Sequence, residues 1–122
     1  MNMTTSTRQV GSVTILDISG RIVLGEESAL FRDTIADLLS RGDKQILLNL
    51  GGVDYIDSVG LGSLVAAFAS ARKQGGELKL LNLPSKVADV MQMTKLYTVF
   101  DIVNDEAMGV KSFSQSKLTA KI

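Results

Sequence analysis

The residues of this sequence that could carry chemistry lie together in one short stretch, residues 57–62, which reads D-S-V-G-L-G. Before it comes an apolar run, Ile46–Leu50, with the composition of a buried strand, and after it the apolar spacing predicts a helix that begins near Ser58. The first N–H groups of a helix lack partners within the helix, and the helix dipole is positive there, so an anion is favoured at that place. A phosphate carried on Ser58 would be such an anion. The alternative is an ordinary serine at a helix start.

Ser58 lacks the partner that a catalytic nucleophile requires. A serine enzyme needs an adjacent base, and the chain contains no histidine. Asp57 is next in sequence, but its position favours a role as the N-cap of the helix. A serine that accepts a phosphate needs no base of its own, because a kinase supplies one. The sequence therefore favours a modification site over an active site, and we predict that the chain is not an enzyme.

Two glycines, Gly60 and Gly62, fall at the start of the same predicted helix, where each costs about 1 kcal/mol relative to alanine. A dinucleotide-binding G-x-G-x-x-G pattern would need a glycine where Val65 stands, and the Walker pattern is absent. We therefore predict no nucleotide or other cofactor. Two explanations remain open for the glycines. Either a neighbouring segment of this chain packs closely against them, or a partner protein does.

The face of this helix that points away from the core is smooth and nearly uncharged. At 100° per residue, a narrow strip of small residues comprises Ser58, Gly62, Ala66 and Ala69, with Lys73 at its far end. The residues that flank the strip are Val59, Ser63 and Ser70. Either another helix of the same domain covers part of this strip, or a partner docks there.

The elements that position Ser58 begin with a predicted hairpin. Residues Ser6–Val10 and Val13–Ser19 have strand-like composition, and the pair Gly11-Ser12 between them suits a tight primed turn. The second strand is apolar on both faces, so we predict that it is central in the sheet. Residues Met1–Thr4 are interpreted as a ragged end, and residues 20–25 as a connector without an assigned conformation.

A helix is predicted to begin near Glu26 and to end at Arg41 and Gly42, since apolar residues recur at helical spacing between these points. Its inward stripe consists of Phe31, Ile35, Leu38 and Leu39. The central strand follows at Gln45–Leu50. The pair Gly51-Gly52 is interpreted as the beginning of a loop that reaches Asp57.

The rest of the chain alternates between helices and strands. The predicted elements are a helix from near Ser58 to Gly75-Gly76, a strand at Glu77–Asn82, a helix with Pro84 at its first position, a strand near Phe100–Val103, and a last helix capped by Asn104 and ending near Phe113. This order predicts an α/β fold with a mixed, mostly parallel sheet of about five strands, an N-terminal hairpin and about four helices. Ser58 then lies beyond the carboxyl end of a central strand, where sites of such folds occur.

Length and composition predict one domain, residues 1–122, with a core of about 6–113 and a flexible polar tail of about 114–122. Thirteen basic and thirteen acidic residues cancel, so there is no electrostatic footprint for nucleic acid. With no cysteine and no histidine, the chain offers no disulfide and none of the usual thiolate or imidazole metal ligands. No apolar run reaches membrane-spanning length, so we expect a cytoplasmic protein without a membrane partner.

Several of these segments resemble the signature of STAS domains, and in particular bacterial anti-sigma factor antagonists. The resemblance covers nearly the whole chain, and the segments that carry it are Ile46–Leu50, Val53–Ile56, residues 57–62, Gly20-Arg21-Ile22 and Gly75-Gly76. It implies that the unphosphorylated protein binds an anti-sigma factor that is also an ATP-dependent serine kinase, which frees the sigma factor. Ser58 occupies the acceptor position, and a metal-dependent serine phosphatase would reverse the modification. The resemblance leaves open whether the protein is a monomer or a weak dimer.

The sequence departs from the family pattern at two positions. Val59 stands where many relatives have serine or threonine, and Val23 stands where better-known antagonists often carry an acidic residue on a partner-facing loop. The expected partner-binding residues are Asp57, Ser58, Val59, Gly60, Gly62, Ser63 and Ala66. The main alternative is a STAS module without a phosphoswitch, for example a structural subunit of a lipid-transport or signalling assembly.

Overall fold

The structure is a computed structural model that describes the backbone of residues 2–121 and the side chains of residues 2–113. The elements in chain order are β1 (Met3–Val10), β2 (Val13–Ile22), α1 (Glu26–Ser40), β3 (Gln45–Ile56), α2 (Ser58–Lys73), β4 (Glu77–Leu81), α3 (Ser85–Thr94), β5 (Ile102–Val103) and α4 (Glu106–Lys121), with a short 3₁₀ turn at Leu96–Thr98. No helix among the described residues is long and apolar enough to cross a membrane.

The described strands form one sheet, ordered β1-β2-β3-β4-β5. Strands β1 and β2 pair antiparallel through the hairpin, whereas β2 to β5 all run parallel. Gly11 opens the two-residue turn with φ 61, a conformation that suits the first central position of a type II′ turn. The predicted α/β class, the hairpin and the central position of β3 are therefore confirmed.

The sheet separates two apolar layers. One face packs against α1, α2 and α3, and its buried residues include Phe31, Leu48, Leu64, Leu80 and Val87. The other face packs against α4 through Val13, Ile15, Leu47, Leu81 and Phe113. Successive residues of β3 alternate between these layers, so this strand is buried on both sides. Its carboxyl end leads directly into α2, so the position of Ser58 is set by the central strand.

The strands are longer than predicted at three of their ends. β1 begins at Met3, which is buried, so the ragged end predicted for Met1–Thr4 is wrong for Met3 and Thr4. β2 continues to Ile22, and β3 continues through Gly51 and Gly52 to Ile56, so the loop predicted there is also wrong. Two register shifts between β2 and β3 accommodate the extra length, and Gly52 lies where a Cβ atom would overlap Ser19 Oγ.

Smaller corrections concern the ends of later elements. Pro84 is the N-cap of α3 rather than its first residue, and β5 is shorter than the predicted Phe100–Val103. Asp105, not Asn104, caps α4, because its Oδ2 accepts the Met108 N–H at 2.9 Å. Helix α4 continues past Phe113 to Lys121. A flexible tail was predicted for residues 114–122. The side chains of these residues, and all of residue 122, lie outside the described part of the chain.

Candidate functional site

Asp57 and Ser58 form the junction between β3 and α2. Asp57 has extended backbone angles, φ −97 and ψ −177, and its Oδ1 accepts the N–H of Gly60 at 2.8 Å. The N-cap role predicted for Asp57 is therefore confirmed. Ser58 is the first residue of α2 and is exposed. Its hydroxyl lies at the surface, at the carboxyl end of the central strand.

The Asp57 carboxylate also joins the helix to a second segment of the chain. Its other oxygen, Oδ2, accepts the N–H of Leu24 at 2.9 Å, in the connection between β2 and α1. Leu24 itself is 70% exposed, so this hydrogen bond fixes the backbone beneath an apolar side chain that faces solvent. Leu24 was not predicted from the sequence, because its link to Asp57 spans 33 positions and no local pattern signals it.

Hydrogen bonds keep the Asp57 carboxylate charged. The N–H groups of Gly60 and then Leu24 hold the pKa of this carboxyl below its usual value, since both stabilise the anion. The anion favoured at the start of α2 is therefore already present as Asp57. A phosphate on Ser58 would add a second negative group beside the first, in a position open to water.

The two glycines of α2 have different surroundings. A Cβ atom on Gly60 would overlap the carbonyl oxygen of Ile22, so the end of β2 packs directly against the helix at this point. A Cβ atom on Gly62 would meet nothing within 4 Å. Close packing within the chain, one of the two explanations left open by the sequence, therefore accounts for Gly60. It does not account for Gly62.

The strip of small residues on α2 is exposed along its length, at Ser58, Gly62, Ala66, Ala69 and Lys73. One of its flanks is covered by α1. Ser63 is 3% exposed, and its hydroxyl donates to the Val59 carbonyl at 3.0 Å. A shallow groove runs between α1 and α2, and its lining includes Ile35, Leu39, Ala66 and Ala67. Helix α1 therefore packs on the Ser63 flank, whereas the strip itself is uncovered within the described residues.

Among the seven residues expected to bind a partner, Ser58, Gly62 and Ala66 are exposed on one side of α2, and Asp57, which is half-buried, caps the helix beside Ser58. Val59 is half-buried, while Gly60 and Ser63 are buried and offer little surface. Tyr55, which the sequence analysis did not single out, is 47% exposed at the end of β3, with the Arg21 guanidinium 5.3 Å from its ring centre. Fewer residues of α2 are therefore exposed than expected, and the exposed surface beside them extends to Tyr55 at the end of β3.

The arrangement offers a hydroxyl without a base to activate it. No histidine occurs in the chain, and no group of three potential metal ligands occurs among the described residues. Asp57 lies at the start of α2, and its carboxylate accepts two backbone N–H groups. Ser58 and the adjoining strip are both exposed.

Comparison with known proteins supports a regulatory role. The sequence profile of the STAS domain matches residues 4–108. The anti-sigma-B factor antagonist of Bacillus subtilis is 32% identical over 111 residues, which cover 91% of this chain and all of that protein. A solved structure of a candidate anti-sigma factor antagonist from Thermotoga maritima superposes with a TM-score of 0.79, at 27% identity over 90% of this chain and 94% of that one.

A third similarity shows the fold alone. The phosphorylated form of the Bacillus cell fate determinant SpoIIAA superposes with a TM-score of 0.70, at 17% identity over 89% of this chain and 98% of that one. The profile match spans most of the sequence, and the curated relative is matched along its full length. The chain therefore belongs to the STAS domain family.

Proposed function

We propose that this protein is an anti-sigma factor antagonist that binds an anti-sigma factor with serine kinase activity, and that phosphorylation of Ser58 switches this binding off. The observation that carries the proposal is the exposed Ser58 at the start of α2, beside a nearly uncharged strip that no described residue covers. The full-length similarity to the Bacillus subtilis antagonist supports the same role. The chain acts as a regulator and not as an enzyme, as its family implies.

The docking surface comprises the strip of α2 and the end of the β2–α1 connection. Gly62 and Ala66 present a smooth surface on which a helix or loop of the partner can approach closely. Leu24 adds an apolar side chain, and its backbone is held by the carboxylate that also caps α2. The partner thus contacts two segments at once, and Asp57 keeps them in a fixed relation.

A phosphate at Ser58 would oppose such a complex through its charge. The modification adds about −1.5 to −2 charge at pH 7, next to the charged Asp57 carboxylate. In the free protein water solvates both groups, so the fold persists. In the complex the phosphate would be buried beside Asp57, and an unpaired buried ion costs several kcal/mol. Because each ~1.4 kcal/mol corresponds to a tenfold change in affinity, the partner is released.

The test uses an anti-sigma factor with a serine kinase domain from the same genome. We expect incubation with this kinase and Mg-ATP, followed by phosphopeptide mapping, to show one phosphate on Ser58 of the wild type and none on Ser58→Ala. Ser70→Ala is the matched control, because Ser70 is an exposed serine on the same helix. It should accept phosphate as the wild type does.

Calorimetry against the same kinase separates the switch from simple modification. We expect Ser58→Ala to bind as the unmodified wild type does, and Ser58→Asp to bind more weakly. Ser58→Asp carries one charge rather than about two, so it should lose less affinity than the phosphorylated protein. Phosphate on another residue, or equal affinity of the modified and unmodified proteins, would contradict the proposed switch, since a modification without differential affinity shifts no equilibrium. Binding without any phosphorylation would instead favour the scaffold alternative.

A further inference from the structure

The outer edge of β1 is long and lacks the features that usually prevent strand pairing. The strand comprises eight residues, Met3–Val10, and its neighbour within the described sheet is β2 on one side alone. Its register with β2 is continuous, without a bulge, and its sequence, MTTSTRQV, contains neither lysine nor proline. Soluble proteins protect exposed edges with such devices. Three threonines and a valine in the strand favour extended pairing instead.

The geometry of the hairpin defines which backbone groups face outward. In a two-residue hairpin the closing pair, Val10 and Val13, exchanges hydrogen bonds, and inward and outward backbone groups then alternate along the strand. At the other end of β1 the carbonyl of Asn2 accepts the Arg21 N–H at 2.8 Å, which fits the same alternation. The N–H and C=O groups of Thr5, Thr7 and Gln9 therefore point away from the sheet.

The charges of β1 do not oppose pairing with a like strand. Arg8 is its one charged residue, and the guanidinium lies 2.7 Å from Asp17 and 2.6 Å from Glu106, on the side of the sheet that carries α4. The other sheet edge differs. β5 has two residues and follows Asp101, an acidic residue with a side chain that is 74% exposed. A head-to-tail contact between β1 and β5 would thus find a short, acidic edge.

We propose that β1 pairs antiparallel with β1 of a second copy of this chain, in the register centred on Ser6, to form a two-fold symmetric dimer with a continuous ten-stranded sheet. In this register Thr5 faces Thr7 of the second copy, and Thr4 faces Arg8 of the second copy. No like charges oppose each other, and threonine pairs are favourable across strands. A two-fold contact of this kind closes on itself, so it yields a dimer and not a filament.

The dimer leaves the proposed switch accessible. Helix α2 packs over β3 and β4, whereas β1 is at the far edge of the sheet. The proposal does not depend on the role of Ser58, and it is tested without any partner protein. Its functional consequence would be two identical docking surfaces in one assembly.

The first test is sedimentation equilibrium of the full chain at rising concentration up to about 1 mM, which detects association down to millimolar affinity. Two double variants probe the register. Thr5→Lys/Thr7→Lys places like charges opposite each other twice, and should weaken the dimer by about fivefold or more. Thr5→Lys/Thr7→Glu places opposite charges there and should restore or tighten it. Gln92→Lys/Met93→Lys is the control, because it adds two charges to exposed positions of α3 and should leave association unchanged.

Hydrogen exchange gives a second, strand-specific readout. In the dimer the outward amides of Thr5 and Thr7 should gain protection as concentration rises, while those of Ser6 and Arg8, which already pair with β2, should not change. A wild type that stays monomeric at about 1 mM would overturn the proposal. Equal association of the two double variants would overturn it as well, because the contact would then lie elsewhere.

Discussion

Asp57 divides its two carboxylate oxygens between α2 and the β2–α1 connection, so one side chain performs two tasks. A substitution can separate them. Serine is a good N-cap, but its single oxygen cannot serve Gly60 and Leu24 together. We expect Asp57→Ser to lower the free energy of unfolding by about 0.5–1.5 kcal/mol, because it keeps the cap but loses the Leu24 hydrogen bond, and Asp57→Ala to lower it by about 1 kcal/mol more.

Both variants should release the Leu24 amide. The measurement is urea unfolding for stability together with hydrogen exchange at Leu24, which should become faster in both proteins. If Asp57 positions the docking surface, Asp57→Ser should also bind the kinase partner more weakly, although it keeps the helix cap. Unchanged exchange of the Leu24 amide in Asp57→Ser would show that the connection holds its conformation without the carboxylate.

Alanine substitutions at the two glycines of α2 should change the free energy of unfolding in opposite directions. Gly60→Ala should lower the free energy of unfolding by about 1–3 kcal/mol, because the added Cβ would overlap the backbone of Ile22, which cannot move cheaply. Gly62→Ala meets open space and gains helix propensity, so it should raise stability by up to about 1 kcal/mol. Urea unfolding of both proteins checks the pair. Loss of stability in Gly62→Ala would indicate that the strip is packed internally.

The strip itself can be tested by adding bulk and charge. We expect Ala66→Arg to weaken partner binding at least tenfold while changing the free energy of unfolding by less than about 1 kcal/mol, as exposed substitutions usually do. Gln92→Arg adds the same side chain to an exposed position of α3 and serves as the control. Calorimetry and urea unfolding provide the two readouts. Equal affinity of both variants would place the docking surface elsewhere.

Helices were easier to predict than strand ends, for physical reasons. The stripe of α1 repeats at helical spacing, and all four of its members are buried, so local pattern and tertiary packing agree. The pair Gly51-Gly52 has turn composition, but in the structure β3 continues through it because β2 lies alongside and Gly52 allows close approach to Ser19. Pairing with a neighbouring strand decides whether two such glycines form a turn or continue a strand, and the local sequence does not show this pairing.

The same limit applied to the candidate site. The helix start at Ser58, its N-cap and the exposed strip are formed by residues close in sequence, so local residue types and the helix period predicted them. The hydrogen bond from Leu24 and the burial of Ser63 against α1 depend on segments that are distant in sequence. The local structure around Ser58 was therefore predictable from the sequence, and its contacts with distant segments were not.

At the scale of the molecule, the two faces of the sheet are built differently. Apolar packing joins α1, α2 and α3 to one face, whereas charged side chains help to join α4 to the other. Lys79 is 4% exposed beneath α4, donates to Ser112 Oγ at 3.0 Å and lies 4.8 Å from the ring centre of Phe113. Arg8 bridges Asp17 and Glu106. The Arg8 cluster therefore makes the contact between β1 and α4 sensitive to pH.

The Arg8 guanidinium holds the pKa values of the Asp17 and Glu106 carboxyls below their usual range. A carboxyl with a lowered pKa in the folded state stabilises the protein above its unfolded pKa, about 4, and this contribution is lost as pH falls through the folded value. The side chains of Arg8 and Glu106 are 42% and 41% exposed, so solvent reduces the effect. We expect Arg8→Gln to lower the free energy of unfolding by about 1 kcal/mol at pH 7.

The pH dependence separates this charge effect from a loss of packing. Since protonation removes both carboxylates in the wild type, the difference between wild type and Arg8→Gln should shrink as pH falls from about 5 to about 3. Arg41→Gln is the control, because Arg41 pairs with Asp37 and Asp43 at 3.6 and 3.8 Å on an exposed surface. Arg41→Gln should change the free energy of unfolding by less than about 0.5 kcal/mol at both ends of this pH range. Urea unfolding at low protein concentration gives the comparison. A difference for Arg8→Gln that stays constant with pH would mean that its aliphatic stem, and not its charge, joins β1 to α4.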